Sequence, residues 1–371
     1  MKAPKLELRN VRKEYGAFVA VERVDLAIAA GETLALLGPS GCGKSTTLNM
    51  IVGLDRPTSG DILIDGTSVV DRPPGERRIG LVFQDYAVFT HMSVRKNLAF
   101  GLDIKGRDRA ETRRAVEEVS ALLELTSLLD ASPRALGGSE LQRVAIGRTL
   151  VTNPAILLLD EPLSNLEAAM RHSMRQQLRK LQAETGQTII YVTHDQVEAL
   201  SLAHRIAVMS GGRVRQFDRT DVVYTEPAHT FVGSFLGSPP MNMVAGQFLS
   251  DGGRPTLKTA DGEIFLPSCL AARLPEGGRR VVLGFRPEQV RLVQVSGDVL
   301  SATVALVERQ GPQTIVTLSL DGAALVKALA PGHSPLAIGD RVGVAVEPRV
   351  LSVFDGESGV RLKPDPAAAA A

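Results

Sequence analysis

Hydrophobic positions fall into two textures along the chain. In the first 235 residues, continuous apolar runs of buried-strand length alternate with helix-period segments. "TLALL" (33–37), "AILLLD" (155–160), "TIIYVT" (188–193) and "IAVMS" (206–210) are such runs. The segments 164–184 and 195–203 between them repeat apolar residues with helical spacing. Strands apolar on both faces, separated by helices, predict a parallel sheet covered on both sides. Residues 108–152 contain no strand pattern and predict a helical insertion. Beyond about residue 240 the period changes to two. "TIVTLSL" (314–320) places Val316, Leu318 and Leu320 on one face, and "RVGVAVEP" (341–348) does the same with Val342, Val344 and Val346. Half-buried antiparallel strands are expected there, forming a small all-β barrel. Gly, Ser and Pro cluster in "GSFLGSPPMN" (233–242), which marks a boundary. The expected domains are 1–235, with its helical part at about 88–152, and 236–371.

Bulk properties narrow the partners. The 371 residues are 44% hydrophobic and 22% charged, with a net charge of +1. That balance gives no basic footprint for nucleic acid and no polybasic membrane anchor. The N-terminus lacks the apolar core of a secretory signal. No run approaches the roughly eighteen apolar residues of a membrane span. Two cysteines, Cys42 and Cys269, suit a reduced compartment without disulfides. The terminal "DPAAAAA" reads as a frayed tail.

Chemistry concentrates at the ends of the apolar runs. "GPSGCGKST" (38–46) has the form G-x-x-x-x-G-K-[ST] between a strand and a helix. Gly38, Gly41 and Gly43 let the backbone turn its N–H groups inward, with Pro39, Ser40, Cys42 and Thr46 completing the loop. The helix that follows adds its positive end. Lys44 supplies a point charge for β- and γ-phosphates, and Ser45 a hydroxyl for Mg²⁺. Cys42 reads either as a small filler residue of the loop or, near Lys44 and a helix start, as a low-pKa thiol that alkylators reach and ATP protects. "ILLLDEP" (156–162) ends in two carboxylates. Asp160 is placed to bind Mg²⁺, and Glu161 to orient and deprotonate the attacking water. His194, after "TIIYVT", is positioned to meet the γ-phosphate. Gln84, after "RIGLVF" (78–83), is placed to reach Mg²⁺ or that water.

Together these segments resemble the ATPase subunit of an ABC transporter. "GPSGCGKST", "VFQDYAVF", "LQRVAIGR", "ILLLDEPLSNLE" and "YVTHDQVEAL" follow in that family's order. The resemblance implies an α/β P-loop NTPase with a helical subdomain, using ATP and Mg²⁺ at the cytoplasmic face of the plasma membrane. It implies that Tyr15 in "KEYGAF" stacks on adenine, and that "DYAVFTHMSV" (85–94) contacts a transmembrane permease subunit. "FVGSFLGSPPMNMV" and "LGFRPEQVRL" look like the importers of carbohydrates, polyols and glycerol phosphates, the maltose-importer group. There the C-terminal extension is an OB-like regulatory domain, and an extracytoplasmic solute-binding protein delivers the cargo. Polyamine and ferric-iron importers have similar ATPases. A weakly hydrolysing regulatory nucleotide-binding protein is a further alternative.

One segment departs from the family. Its signature L-S-G-G-Q appears here as "LGGSE" (136–140), with Gly137 for Ser, Ser139 for Gly and Glu140 for Gln. In the family this segment presents a hydroxyl, N–H groups and a helix end to the nucleotide on a second ATPase subunit. Gly137, Gly138 and Ser139 are therefore candidate nucleotide contacts, weakened by a lost hydroxyl and an added carboxylate. Ser139 is alternatively the cap of a helix starting near Glu140. Glu167 stands where the family has Asp, and Ser164-x-x-Glu167 has the form of a capping box. Elements acting on this chain's own nucleotide look intact, while those offered across a dimer are altered. The partner is thus either a second copy or a different ATPase with a full signature.

Overall fold

A computed structural model describes residues 4–249, 255–268, 278–296 and 299–362. Cys269 and the terminal alanine run lie outside them. The chain divides into two compact units, 1–220 and 221–371.

The first unit carries ten strands in one sheet. They are β1 (Leu6–Tyr15), β2 (Phe18–Ile28), β3 (Thr33–Leu37), β4 (Ser59–Ile64), β5 (Thr67–Ser68), β6 (Ile79–Val82), β7 (Ile156–Asp160), β8 (Ile189–Thr193), β9 (Arg205–Ser210) and β10 (Arg213–Arg219). The order is β5-β4-β1-β2-β10-β9-β3-β8-β7-β6. β9, β3, β8, β7 and β6 pair in parallel, as the continuous apolar runs predict. In β3 and β8 every residue is buried. Helices α1 (Lys44–Val52), α5 (Ala168–Thr185) and α6 (Gln196–Leu202) connect these strands, and α2 (Val94–Ile104), α3 (Arg109–Leu122) and α4 (Gly138–Leu150) form the insertion. Parallel strands bind ligands outside their carboxyl ends. That edge carries the phosphate loop after β3, Asp160 and Glu161 at β7, and His194 after β8.

The antiparallel part of this sheet, β1, β2, β4 and β5, was not legible as strands. β1 pairs with β2 and β4, but its register shifts between Leu8 and Val11 and again twice before Tyr15. Asn10 takes a positive φ of 49° there. Bulges of this kind interrupt the period-2 pattern on which sequence reading depends.

α7 (Thr220–Thr225) opens the second unit, and α8 (Thr230–Phe235) runs into the Gly-Ser-Pro cluster. Two antiparallel five-stranded sheets follow. One contains β11 (Asn242–Leu249), β12 (Thr256–Lys258), β13 (Glu263–Phe265), β14 (Arg280–Phe285) and, at its other edge, β20 (Ser352–Asp355). The second holds β15 (Val290–Val293), β16 (Leu300–Arg309), β17 (Gln313–Leu320), β18 (Ala324–Pro331) and β19 (Arg341–Val346). Val316, Leu318, Leu320, Val342, Val344 and Val346 all point into one shared core with Leu257, Leu283 and Phe285. Asn242 laces the sheets together. Its side chain donates to the Lys327 carbonyl at 2.8 Å and accepts the Lys327 N–H at 2.7 Å. Arg286, 1% exposed, donates to the carbonyls of Tyr224 (2.8 Å), Gly233 (3.2 Å) and Leu236. Those bonds offset the cost of burying its charge and pin α7 and α8 to the end of β14.

Candidate functional site

The phosphate loop takes its shape from glycines that cannot be replaced cheaply. A Cβ on Gly38 would lie 2.4 Å from the Met209 carbonyl oxygen. Gly43 sits at φ 102°, where a Cβ would also come 2.8 Å from the Ala20 oxygen. The loop is thereby wedged between β9 and β2, and α1 starts directly at Lys44. No side chain caps that helix, so its positive end is free for an anion. Lys44 is 6% exposed and its ammonium donates to the Gly38 carbonyl at 2.8 Å and the Pro39 carbonyl at 3.0 Å. Those two carbonyls hold the charge over the loop.

Tyr15 ends β1 with half its surface exposed. Its hydroxyl bonds to the Asp55 carboxylate, which raises the phenol's pKa, and lies within hydrogen-bond reach of the Thr46 side chain. The ring thus stands beside the phosphate loop, with the Lys13 ammonium 4.8 Å from its centroid.

Cys42 corrects one expectation. The thiol is 3% exposed, and burial pushes its pKa up, while Lys44 opposes that only partly. Desolvation disfavours the thiolate more than the nearby cation favours it. Cys42 is a packing residue of the loop and not a low-pKa thiol.

The two carboxylates after β7 differ in setting. Burial raises the pKa of Asp160, Glu161 adds to the rise, and Lys44 opposes it. Asp160 is therefore within the field of the phosphate-loop lysine. Glu161 occupies a left-handed conformation, φ 43°, a strained state that costs about 1–3 kcal/mol for a residue with a side chain. The turn aims its carboxylate at His194, whose Nδ1 lies 3.0 Å from Glu161 Oε1. Both side chains border a cleft of about 210 Å³ together with Gln84, Ser164, Arg171 and Glu198.

Sequence reading did not see how this cleft is held. Gln84 Nε2 donates to Ser164 Oγ at 3.2 Å, and Ser164 Oγ donates to the Glu161 carbonyl at 2.8 Å. Asn165 Nδ2 donates to the Gln84 carbonyl at 3.0 Å. Arg171 donates to the carbonyls of Leu166 (2.8 Å) and Ser164 (3.3 Å). The segment 161–167 is thus a laced loop, and α5 starts at Ala168 instead of 164. The capping box is absent: Glu167 is the N-cap residue and its side chain makes no cap bond. Ser164's hydroxyl is engaged with Glu161 and Gln84, so it cannot serve the helix.

The altered segment is also corrected in detail. α4 begins at Gly138, with Gly137 as N-cap. Ser139 lies inside the first turn and does not cap. Glu140 reaches back, and its Oε2 accepts the Gly137 N–H at 2.8 Å. A carboxylate at the third helical position satisfies a donor there and favours the helix end. Gly137, Gly138 and Ser139 do not join the chain's own phosphate loop. A Cβ on Gly138 would instead lie 3.3 Å from Leu166 and 3.8 Å from the Tyr86 hydroxyl.

Comparison with known proteins agrees with this geometry. A family model described as ABC transporter matches residues 21–164, one for the MalK OB fold domain matches 237–290, and one for the TOBE domain matches 283–354. The sn-glycerol-3-phosphate import ATP-binding protein UgpC of Cupriavidus pinatubonensis is 42% identical over 97% of this chain and 99% of its own. The protein of the same name from Cereibacter sphaeroides is 43% identical over 96% and 99%. Among solved structures, cbiO1 from Clostridium perfringens, part of an ABC transporter complex, superposes with a TM-score of 0.57 at 30% identity. It covers 60% of this chain and 92% of its own. The dimeric bacterial ABC transporter cassette MJ0796 gives 0.52 at 35% identity, covering 58% and 98%. With that similarity spanning nearly its whole length, and with the phosphate loop, strand-tip carboxylates and histidine assembled on one sheet edge, the chain belongs to the ATP-binding subunits of ABC transporters, the ATPases that drive import.

Proposed function

We propose that this chain binds ATP between Tyr15 and the loop 38–46, and hydrolyses it at the Glu161–His194 pair to drive uptake of a sugar, polyol or glycerol phosphate. The relatives named for sn-glycerol-3-phosphate import support that cargo class over polyamines or ferric iron. The observation that carries the chemistry is the 3.0 Å contact between His194 Nδ1 and Glu161 Oε1, next to Asp160 and Lys44.

In this reading Lys44 and the loop N–H groups hold the β- and γ-phosphates. Ser45, Asp160 and Gln84 would hold Mg²⁺. No cluster of three or more His, Cys, Asp or Glu exists among the described residues. That fits an ion which takes one carboxylate and completes its shell with phosphate and water. Bound there, Mg²⁺ would neutralise charge on the transferring phosphoryl group. Glu161 accepts a proton from the attacking water, whose oxygen bonds to the γ-phosphorus as the bond to ADP breaks. His194 keeps the Glu161 carboxylate aimed beside the γ-phosphate. Gln84, bonded to Ser164 and Asn165 beside Glu161, directly precedes residues 85–94, where a permease subunit docks. No helix among the described residues is long and apolar enough to cross a membrane. By its likeness to import ATP-binding subunits, the chain works in this reading as a peripheral subunit on the cytoplasmic face, fed indirectly by a solute-binding protein.

The dimer partner meets residues 137–140. There the hydroxyl of Gly137's usual counterpart is missing, and Glu140 occupies a helix-end N–H that a phosphate would use. The nucleotide on the partner is therefore the less well served one. A different ATPase, with an intact signature, would give this chain's own nucleotide its full complement of contacts.

Glu161→Gln in the assembled transporter tests the reading. Losing the general base should lower turnover about 100- to 10,000-fold with ATP binding retained. Turnover equal to the parent's would reject the assignment and favour a regulatory nucleotide-binding role.

A further inference from the structure

Glu198 is a carboxylate with no part in the scheme above. It sits in the first turn of α6, 4% exposed, and borders the same cleft as Gln84, Glu161 and His194. Its Oε2 accepts the Thr193 hydroxyl at 2.8 Å. That hydroxyl accepts the Asp195 N–H at 2.9 Å. The Asp195 carboxylate in turn accepts the N–H of Val197 at 2.7 Å and of Glu198 at 3.2 Å. Thr193, Asp195 and Glu198 therefore close a ring of hydrogen bonds. The residue between the first two is His194, whose own side chain leaves the ring and reaches Glu161.

Ordinary capping of α6 explains the Asp195 bonds. It does not explain Glu198. Burying a carboxylate is costly unless it is paired and hydrogen-bonded, and an apolar side chain of similar size would pack α6 against the core at less cost. Burial raises the Glu198 pKa, the Thr193 bond lowers it, Asp195 raises it, and Arg171 and His194 lower it. The carboxylate is thus held among groups of the hydrolytic cleft. What its bond does geometrically is fix the tip of β8 to the first turn of α6 on both sides of His194.

We infer that Glu198, through the Thr193 hydroxyl, is a positioning residue for His194, setting the turn that holds the imidazole against Glu161 and toward the γ-phosphate. The inference rests on the assignment of Glu161 and His194 as the hydrolytic pair. Displacing a reacting group by about 1 Å costs up to 100-fold in rate, so the ring can matter without touching substrate.

The test uses Thr193→Val, Glu198→Ala, the double variant and Glu198→Gln in the assembled transporter, beside Glu161→Gln. Thr193→Val keeps the side chain's shape and removes only the hydroxyl. The expected result is a kcat about 10- to 100-fold lower in each of the first two, with KM and fluorescent ATP-analogue binding unchanged. The double variant should be no slower than the slower single one, because both break the same bond. Glu198→Gln keeps an oxygen acceptor for Thr193 and should recover most of the lost turnover. A parent-like kcat in Thr193→Val overturns the inference, even if Glu198→Ala fails to fold. So do additive losses, or losses in kcat, KM and melting temperature together, which mark a structural role. If Glu161→Gln also turns over normally, the hydrolytic pair itself falls. If only the Glu161 variant is inactive, the pair stands and the positioning role alone is wrong.

Discussion

The tip of β7 and the start of α4, the two places proposed to meet nucleotide, are held in opposite ways. At β7 the reactive groups are presented: Glu161 stands in a strained turn with its carboxylate against His194, and Ser164 donates to its carbonyl. At α4 the helix end is already satisfied by the chain's own Glu140. One region stores strain to hold a group ready, while the other spends an acidic side chain to quiet a helix end. In the proposed function the first serves this chain's nucleotide and the second faces a partner. In the proposed dimer, competence would be a property of each interface, not of each chain.

The comparison can be broken at either end, and Glu161→Gln carries the largest expected effect. If α4 is quieted by Glu140, then Glu140→Gln should raise turnover, an unusual direction for a change near an active site. Removing a like charge from a helix end that receives phosphate is worth about 0.3–1 kcal/mol, or roughly two- to fivefold in rate. Steady-state ATPase of the assembled transporter measures it. Unchanged or lower turnover would mean that the carboxylate does not oppose phosphate.

Asp160 gives a smaller, thermodynamic check on the β7 side. Its folded pKa is raised, chiefly by burial. Such a group favours the folded state below about pH 4, its unfolded value, and that contribution is lost as pH rises through the folded value. Ionised Asp160 therefore burdens the nucleotide-free protein at neutral pH. Asp160→Asn should raise the apo melting temperature by about 2–4 °C at pH 7 for each kcal/mol relieved. The gain should vanish below about pH 4, and ATP–Mg²⁺ should stabilise the variant less than the parent. A lower melting temperature at pH 7 would show that the carboxylate is stabilising as it stands.

Cys42 gives the smallest effect. A buried thiol with a raised pKa reacts slowly, so iodoacetamide should label Cys42 of a Cys269→Ser background far more slowly than the unfolded chain. Mass spectrometry reads this directly. Rapid labelling that ATP blocks would restore the low-pKa expectation.

Much of this was readable from residues in a row. "TLALL" is β3 residue for residue, and the apolar run 155–160 loses only its first residue. The phosphate loop, Asp160, Glu161 and His194 follow from their places after such strands. Period-2 runs located β17 and β19 with the right faces inward. In each case the information is local, because burial on both faces, alternation, or a glycine-lysine spacing is written within about ten residues.

The chain's order of residues thus determined the parallel strands and which side chains stand at their tips, but not the bulged antiparallel edge of β1, β2, β4 and β5. Tertiary structure decided what those side chains do for one another. Ser164 and Glu167 have the spacing of a capping box, yet Ser164 bonds to Gln84 and Glu161 because β6 and β7 lie side by side. Cys42 has a lysine two residues away, yet packing against the sheet outweighs that charge. Glu198 acquires its partner only because the turn after β8 brings Thr193 onto it. Local sequence sets conformation because its interactions span one or two turns. Partners, burial and proton affinity depend on groups brought close only when distant segments pack.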